Sequence, residues 1–318
     1  MMILQIILFF AGLTALYFGA EWLVKGASRF AHSMNIKPIV IGLTIVAFGT
    51  STPELVTSVI AGIRHLNDIA IGNIVGSNIA NIGLVLGLAS LIQPLKVDMK
   101  LISREMPIMI GVALFLYFTG WDGALSRREG VMLLVGIFAY TFYVYRAALQ
   151  ESEIVKSEFQ EYEEFVGATS DNTKKNIFMI LIGLGALVGG AHLMVQSAVY
   201  IAKMFGISEL VIGLTVIAVG TSLPELATSV IAAIRKESDI SIGNIVGSNI
   251  FNILAILGVA ATIQPLKINY TSICIDMPVM LLFSILLVPM ITWRFVLTRL
   301  QGVFLLAGYG VYVWWLFK

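Results

Sequence analysis

Long runs of apolar residues, separated by short polar stretches, follow one another along the whole chain. Ten of these runs are about as long as the ~20 residues that a helix needs to cross a bilayer. They lie roughly at 3–23, 38–63, 69–92, 105–121, 129–147, 177–200, 210–234, 240–263, 273–292 and 300–317. The runs lack the strict alternation of apolar and polar positions that marks membrane barrels. The pattern therefore predicts an all-α integral membrane protein with ten transmembrane helices.

Composition agrees with a membrane location, since 58% of the residues are hydrophobic and only 12% are charged. A soluble domain is about half apolar and a quarter charged. The net charge of +1 gives no reason to expect a nucleic-acid partner. The single cysteine excludes an intramolecular disulfide and a cysteine-based metal site. We expect no cofactor, and we expect the lipid bilayer to be the surroundings of a functional monomer.

The chain repeats itself after 171 residues. "GLTIVAFGTSTPE" at 42–54 matches "GLTVIAVGTSLPE" at 213–225 at nine of thirteen positions, and "GNIVGSNIANI" at 72–82 matches "GNIVGSNIFNI" at 243–253 at ten of eleven. Residues 1–149 and 176–318 are therefore predicted to be two five-helix repeats. The acidic segment 150–175 is predicted to connect them as a solvated linker.

Five helices in each repeat is an odd number, so the second repeat enters the membrane from the opposite side. The repeats are then inverted, related by a pseudo-two-fold axis in the membrane plane. Six arginines and lysines lie on the side of both termini, and fourteen lie on the side of the connector. Because positive loops stay in the cytoplasm, we expect both termini outside the cell membrane and the connector inside.

The second and seventh predicted helices carry a glycine, a proline and a glutamate near their middle. Pro53 cannot donate to the helix, and Gly49 weakens the same turn. We expect the helix to unwind over 47–51 and to free backbone carbonyls, with the same effect in the second repeat. A glutamate at this depth costs a few kcal/mol, on the order of 2.5–3.5, so its presence indicates a function.

Two such breaks, brought together by inversion, form an all-oxygen cage near the midplane. Its candidate ligands are the freed backbone carbonyls of the breaks, the hydroxyls of Thr50, Ser51, Thr221 and Ser222, and the carboxylates of Glu54 and Glu225. Such a set suits hard cations such as Ca²⁺ and Na⁺. Ordinary packing around a kinked helix is the alternative explanation for a single break, but it accounts poorly for two breaks that each carry a glutamate.

The third and eighth predicted helices add a stripe of small polar side chains. Asn73, Ser77 and Asn81 lie four residues apart and share one helix face. Asn244, Ser248 and Asn252 repeat the stripe. We expect these residues to supply neutral ligands, although interhelical hydrogen bonding is an alternative. Asn78 and Asn249 point away from that face and are assigned to packing.

These paired motifs resemble the α-repeats of the cation/calcium antiporter superfamily, and most of all its prokaryotic sodium/calcium exchanger branch. The resemblance covers the whole chain except the connector. It implies exchange of Ca²⁺ against Na⁺ by alternating access, with the first and sixth helices rocking across a fixed core. It also implies central ligands at Glu54 and Glu225, and a place beside the central site for Asn81 and Asn252. The flanking sodium ligands that it implies are carbonyls or hydroxyls of Thr50 and Thr221, the carbonyls of Ala47 and Ala218, and the hydroxyls of Ser77 and Ser248.

The counter-ion remains open at this point. Many relatives carry an aspartate at the position of Asn252, whereas both repeats here end in asparagine, so the site has two negative charges. Two carboxylates balance one Ca²⁺ or two Na⁺. The same pair could bind a proton, so Ca²⁺/H⁺ exchange is an alternative, as is a K⁺-coupled variant. Retention of Ser77 and Ser248 favours sodium.

Two other classes of protein are less consistent with the sequence. No metalloprotease or serine-hydrolase motif is present, and no histidine repeats within the core, so we expect no enzymatic activity. A cation channel needs a continuous pathway, whereas two carboxylates buried between inverted repeats suit occlusion.

Overall fold

The computed structural model describes residues 2–166, 173–205 and 218–316, of which nearly all are helical. Numbered along the chain, the helices are α1 Met2–Ser33, α2 Pro38–Thr50, α3 Thr52–Ile63, α4 Asn67–Ile92, α5 Leu101–Asp122, α6 Arg127–Val166, α7 Thr173–Met204, α8 Ala218–Thr221, α9 Leu223–Ile234, α10 Ser238–Ile263, α11 Ser272–Thr292 and α12 Arg299–Leu316. The strands have two residues each and are β1 Leu95–Lys96, β2 Ala124–Leu125, β3 Leu266–Lys267 and β4 Val296–Leu297.

Several helices contain one π-helical turn, in which the helix is locally wider than an α-helix. These turns are Gly42–Val46 in α2, Asn81–Leu86 in α4, Leu101–Glu105 in α5, Asn252–Leu257 in α10 and Ser272–Asp276 in α11. Four of the five form two pairs at equivalent positions of the sequence repeat. The repeat in sequence is therefore also a repeat in backbone conformation.

Seven of the described helices are long and apolar enough to cross a membrane, and the bent pair of α2 and α3 makes an eighth such span. The predicted stretch 300–317 corresponds to α12. The predicted stretch 210–234 falls partly outside the described residues, and its described part forms α8 and α9. The structure is thus that of an all-α membrane protein.

The segment predicted to be an acidic linker begins as helix. α6 starts at Arg127 and continues to Val166, well past its apolar part, which ends near Gln150. Residues 167–172 of the predicted linker lie outside the described residues.

Burial separates an inner group of helices from an outer one. Every residue from Ile240 to Phe251 in α10 is buried. By contrast, Ile3 in α1 is 73% exposed and Phe138 in α6 is 75% exposed. Large apolar side chains that are exposed on long helices are suited to contact lipid. The polar stripes predicted from the sequence therefore lie on the inner helices.

α1 and α7 pack against each other through glycines. A Cβ on Gly12 would lie 2.7 Å from the carbonyl oxygen of Gly190, and a Cβ on Gly19 would lie 2.9 Å from that of Gly183. Such small residues let two helix backbones approach closely. Because the residue number in α1 rises from one contact to the next while that in α7 falls, the two helices run antiparallel.

Two short antiparallel ribbons relate α5 to α11, its counterpart in the second repeat. β1 precedes α5 and pairs with β4, which follows α11, so that Leu95 lies opposite Leu297. β2 follows α5 and pairs with β3, which precedes α11, so that Leu125 lies opposite Leu266. The start of each helix thus lies beside the end of the other, and the two repeat-related helices run in opposite directions.

Candidate cation-binding site

A short break separates α2 from α3, just before Glu54, and another separates α8 from α9, just before Glu225. The axes of α2 and α3 differ by 46°, and the bend lies at Ser51, with φ −80° and ψ 9°. Ser222, between α8 and α9, has similar angles of φ −87° and ψ 7°. A proline follows within the first two residues of α3 and of α9, where its missing N–H costs no helical hydrogen bond. Glu54 and Glu225 consequently lie in the first turn of α3 and α9.

The break is narrower than the sequence predicts. Residues Ala47–Thr50 form a helical turn, and the Ala47 carbonyl accepts a hydrogen bond from the N–H of Ser51 at 3.1 Å. The prediction that the helix unwinds over 47–51 and frees its carbonyls is therefore wrong. The backbone changes direction at a single residue, because a proline at the start of a helix is compatible with a helical turn directly before it.

The glycine of each break serves close packing against α7. A Cβ on Gly49 would collide with the side chain of Leu184, and a Cβ on Gly220 would collide with that of Val195. The two glycines are related by the sequence repeat, and both face the same helix. Their role is to bring α7 against the two breaks.

Each break also contacts the glutamate of the other repeat. The hydroxyl of Ser51 donates a hydrogen bond to Glu225 Oε1 at 2.9 Å. In the equivalent contact, the hydroxyl of Ser222 donates to Glu54 Oε1 at 3.3 Å. All four residues are buried, with at most 4% of each exposed. The contact between the two sequence repeats thus produces two crossed serine–carboxylate pairs.

The threonine before each serine reaches the neighbouring inner helix. Thr50 Oγ1 donates to Asn244 Oδ1 at 3.0 Å, and Thr221 Oγ1 lies 3.4 Å from Asn73 Oδ1. These contacts cross from one repeat to the other, as the serine–glutamate contacts do. The hydroxyls predicted as ligands are therefore held in place by the polar stripes of α4 and α10.

The two serines of those stripes lie next to the same breaks. Ser222 Oγ is 3.4 Å from Ser77 Oγ, and Ser248 Oγ donates to the Ala47 carbonyl at 3.4 Å. Ala218 begins the turn α8, at the position that corresponds to Ala47. The structure brings the predicted hydroxyls of both repeats and the Ala47 carbonyl to one region.

Four buried side-chain oxygens of the predicted ligands have no hydrogen-bond partner among the described residues. They are Oε2 of Glu54 and of Glu225, and Oδ1 of Asn81 and of Asn252. None of the four residues is more than 1% exposed. Leaving one buried acceptor unpaired costs about 1–3 kcal/mol, and more if it is charged. Two repeat-related pairs of such acceptors fit a bound cation.

The chemistry of the oxygens limits which cation fits. Carboxylate, amide, hydroxyl and carbonyl oxygens are hard ligands, of the kind that Ca²⁺ and Na⁺ prefer. Within the described ranges, no three histidine, cysteine, aspartate or glutamate side chains lie together in a way that could hold a metal ion. The carboxylates of Glu54 and Glu225 supply all the formal charge of the candidate ligands.

Known proteins match this chain over nearly its whole length. The family model described as "sodium/calcium exchanger protein" matches residues 4–146 and 175–318. The chain belongs to the sodium/calcium exchanger family. Among its relatives, the putative antiporter CaxA of Alkalimonas amylolytica is 39% identical over 323 residues, which are 100% of both chains. The sodium/calcium exchanger MaX1 of Methanosarcina acetivorans is 33% identical over 349 residues, and the match covers 98% of both chains.

The fold of this family member also matches a solved structure. The sodium-calcium exchanger NCX_Mj, soaked with 2.5 mM Na⁺ and 0.1 mM Ca²⁺, superposes with a TM-score of 0.84 over 98% of both chains at 34% identity. The family resemblance predicted from the two motif pairs is confirmed. The chain is a multi-pass membrane protein of a family of cation/Ca²⁺ antiporters.

Two serines that contact the polar stripes of this family member, Ser58 and Ser229, were not predicted from the sequence. Asn73 Nδ2 donates to Ser58 Oγ at 2.9 Å, and Asn244 Nδ2 donates to Ser229 Oγ at 3.0 Å. Both serines follow a glutamate by four residues and therefore share its helix face. That spacing, together with its recurrence in both repeats, could have identified them.

Asn78 and Asn249, which the sequence assigns to packing, also make side-chain hydrogen bonds between the two repeats. Asn78 Oδ1 accepts a hydrogen bond from Asn252 at 2.9 Å, and Asn249 Oδ1 accepts one from Asn81 at 3.0 Å. A regular helix turns these side chains away from the polar stripe. They lie instead where α4 and α10 meet, which a single repeat cannot reveal.

Proposed function

We propose that this protein is a secondary-active antiporter that exchanges Ca²⁺ against Na⁺ by alternating access. The ions bind in one all-oxygen site near the midplane of the membrane. The observation that carries the proposal is the set of unpartnered buried oxygens of Glu54, Glu225, Asn81 and Asn252 among the described residues. Two carboxylates balance the charge of one Ca²⁺ or of two Na⁺, and the two amides add ligands without charge.

The ligands take different roles in this proposal. Glu54 and Glu225 are central and bind either ion, and Asn81 and Asn252 lie beside them. Flanking sodium sites use the small hydroxyls at the breaks and on the inner helices, and two backbone carbonyls of the helical turns that precede the breaks. These flanking groups belong to Thr50, Thr221, Ser51, Ser222, Ser77, Ser248, Ala47 and Ala218. Because every ligand comes from a single chain, a monomer suffices for function.

The proposal includes ten transmembrane helices in two inverted repeats. It is supported by the antiparallel arrangement of the equivalent helices α5 and α11, and by that of α1 and α7. The uneven distribution of arginine and lysine favours external termini and a cytoplasmic connector. Alternating access then moves α1 and α7, as one glycine-packed unit, across the core that holds the glutamates.

Exchange of Ca²⁺ against protons is the second candidate function. Two buried carboxylates can carry a proton as well as a metal ion, and nothing in their own contacts separates the two. The hydroxyls of Ser77 and Ser248 favour sodium, because they lie 3.4 Å from Ser222 Oγ and from the Ala47 carbonyl. Na⁺ needs several oxygen ligands, whereas a proton needs one basic atom.

Uptake of ⁴⁵Ca²⁺ into proteoliposomes tests the proposal. The purified protein is reconstituted into vesicles that hold either an internal Na⁺ load or an acidic interior, with the other gradient absent. We expect Ca²⁺ to accumulate above its equilibrium level with the Na⁺ load and to remain at the level of protein-free vesicles with the pH gradient. Uptake driven by the pH gradient alone would contradict sodium exchange. Uptake that never exceeds equilibrium would identify a channel.

A further inference from the structure

Four asparagines form a closed set of hydrogen bonds where the inner helices α4 and α10 meet. Asn78 and Asn249 are related by the sequence repeat and are each 1% exposed. Asn78 Nδ2 lies 3.2 Å from the carbonyl oxygen of Asn249. In return, Asn249 Nδ2 lies 3.5 Å from the carbonyl oxygen of Asn78. The two side chains thus join the two repeats through each other's backbone.

These backbone contacts decide which way each carboxamide points. A carbonyl oxygen can only accept a hydrogen bond, so the nitrogen of each carboxamide must face it. The side-chain oxygen of Asn78 therefore points the other way, where it accepts from Asn252 Nδ2 at 2.9 Å. By the same reasoning, Asn249 Oδ1 accepts from Asn81 Nδ2 at 3.0 Å.

The orientation of these carboxamides also fixes the orientation of Asn81 and Asn252. Because the nitrogens of Asn81 and Asn252 are held by this set, their oxygens are directed away from it. Those two oxygens are buried and have no partner among the described residues. The π-helical turn that begins at Asn81 contacts α9, the helix of Glu225, and the turn that begins at Asn252 contacts α3, the helix of Glu54.

We propose that Asn78 and Asn249 are positioning residues, which hold the amide oxygens of Asn252 and Asn81 toward the transported ion and require a neutral donor at those positions. The inference rests on the proposed function, since it assigns a role to residues behind the same ion site. An amide at position 81 or 252 supplies the donor that the set requires and carries no charge. The set therefore fixes two ligands in place and keeps the site at two negative charges.

A double-mutant cycle tests whether Asn78 acts through Asn252. N78L removes the acceptor at similar volume, N252A removes the ligand, and N78L/N252A combines them. For each protein, KM and Vmax for Ca²⁺ are measured in Na⁺-loaded proteoliposomes. Loss of one ligand or of its orientation should raise KM about ten-fold, as expected for ~1.4 kcal/mol, with Vmax changed less than KM. The KM of the double variant should be no higher than that of N252A alone, because the two changes remove the same contact.

M280L is the matched control for packing around Asn78. Met280 Sδ lies 3.7 Å from Asn78 Nδ2, so leucine changes the same neighbourhood without touching the bond to Asn252. We expect its KM to equal that of the unmodified protein. An unchanged KM in N78L would overturn the inference. So would a double variant whose increase in KM equals the product of the increases in N78L and N252A.

Two further variants keep the test decisive if N78L does not fold. N78S shortens the side chain and withdraws the acceptor from Asn252. N249L with N81A forms the equivalent cycle in the other repeat, with M109L as its control, since Asn249 Nδ2 lies 3.8 Å from Met109 Sδ. Failure of the proposed function has a different signature, namely Ca²⁺ uptake that persists in E54Q. If E54Q abolishes uptake and the cycles are multiplicative, only the positioning role is rejected.

Discussion

Ser51 Oγ donates a hydrogen bond to Glu225 Oε1 at 2.9 Å, across the boundary between the two sequence repeats. The equivalent contact joins Ser222 to Glu54 at 3.3 Å. Each glutamate is therefore held by the helix break of the other repeat. A change in one glutamate therefore alters a contact of the break in the other repeat.

Replacement of either glutamate by glutamine should abolish Ca²⁺ uptake. E54Q and E225Q keep the side-chain volume and the hydrogen bond from serine, but each removes one of two charges that face the cation. We expect uptake by each variant to fall to the level of protein-free vesicles, because one charge cannot balance Ca²⁺ in a buried site. Uptake of ⁴⁵Ca²⁺ in Na⁺-loaded vesicles measures the effect.

E21Q is the control for that experiment. Glu21 lies in α1 and pairs with Arg235 outside the cation site, with 24% of its side chain exposed. Pairs as exposed as this one contribute little, so E21Q should retain uptake. Normal uptake by E54Q or E225Q would refute the cage.

Loss of the flanking serines should weaken the binding of Na⁺ more than the binding of Ca²⁺. S77A and S248A each remove one hydroxyl while both carboxylates stay in place. A hydroxyl ligand contributes about 1 kcal/mol, so the Na⁺ concentration for half-maximal exchange should rise about five-fold. The KM for Ca²⁺ should change less than this.

Ser90 provides the matched control for the serine variants. It is fully buried in the same helix as Ser77, and its hydroxyl donates to the Gly87 carbonyl. S90A should leave the Na⁺ dependence unchanged. Equal effects of S77A on both ions would argue against a separate sodium site.

The positions of the helices could be predicted because a membrane interior permits little else. A backbone without water must pair its own polar groups, which leaves helices as the solution for long apolar runs. The stretch predicted at 69–92 is α4, Asn67–Ile92. The helical continuation of α6 to Val166 was not predicted, since that segment has no apolar run.

The site was harder to predict, because its geometry depends on contacts between the repeats. Glu54 and the motif around it are visible in the sequence, but the width of the break is not. The contacts of Asn78 were missed for the same reason. A regular helix directs it away from the polar stripe, and only the second repeat supplies the carbonyl and the amide that it contacts.

Alanine at Gly183 should destabilise the pair formed by α1 and α7. A Cβ there would lie 2.7 Å from the backbone nitrogen of Leu23 and 2.8 Å from the carbonyl oxygen of Gly19. Backbone atoms cannot rotate away, so the helices must separate, at a cost of about 1–3 kcal/mol. We expect G183A to lower the melting temperature of the purified protein.

Gly185 on the same helix is the control. A Cβ there would meet no atom within 4 Å among the described residues, and alanine favours a helix over glycine. G185A should therefore melt at or above the temperature of the unmodified protein. Equal losses in G183A and G185A would show that the contact with α1 is not the cause.

The ion pair between Lys37 and Asp98 should make stability depend on pH. Burial raises the pKa of Asp98, but the hydrogen bonds from Lys37 and from the Lys100 N–H lower it more, so the pKa lies below its usual value. The Lys37 Nζ and Asp98 Oδ2 atoms are 2.6 Å apart, and the pair joins the start of α2 to the segment before α5. A carboxylate with a lowered pKa stabilises the folded state above its unfolded pKa of about 3.9 and loses that contribution as the pH falls through its folded pKa.

D98N should therefore melt below the unmodified protein at neutral pH, and the difference should shrink below about pH 4. The loss should be about 1 kcal/mol or less, because solvent screens a partly exposed pair. K37Q should reduce the same pH dependence while leaving Asp98 in place, because it removes the side-chain donor and its charge. A difference between D98N and the unmodified protein that persists unchanged at pH 3 would mean that the amide disturbs packing, and that the charge of Asp98 is not what stabilises this end of the molecule.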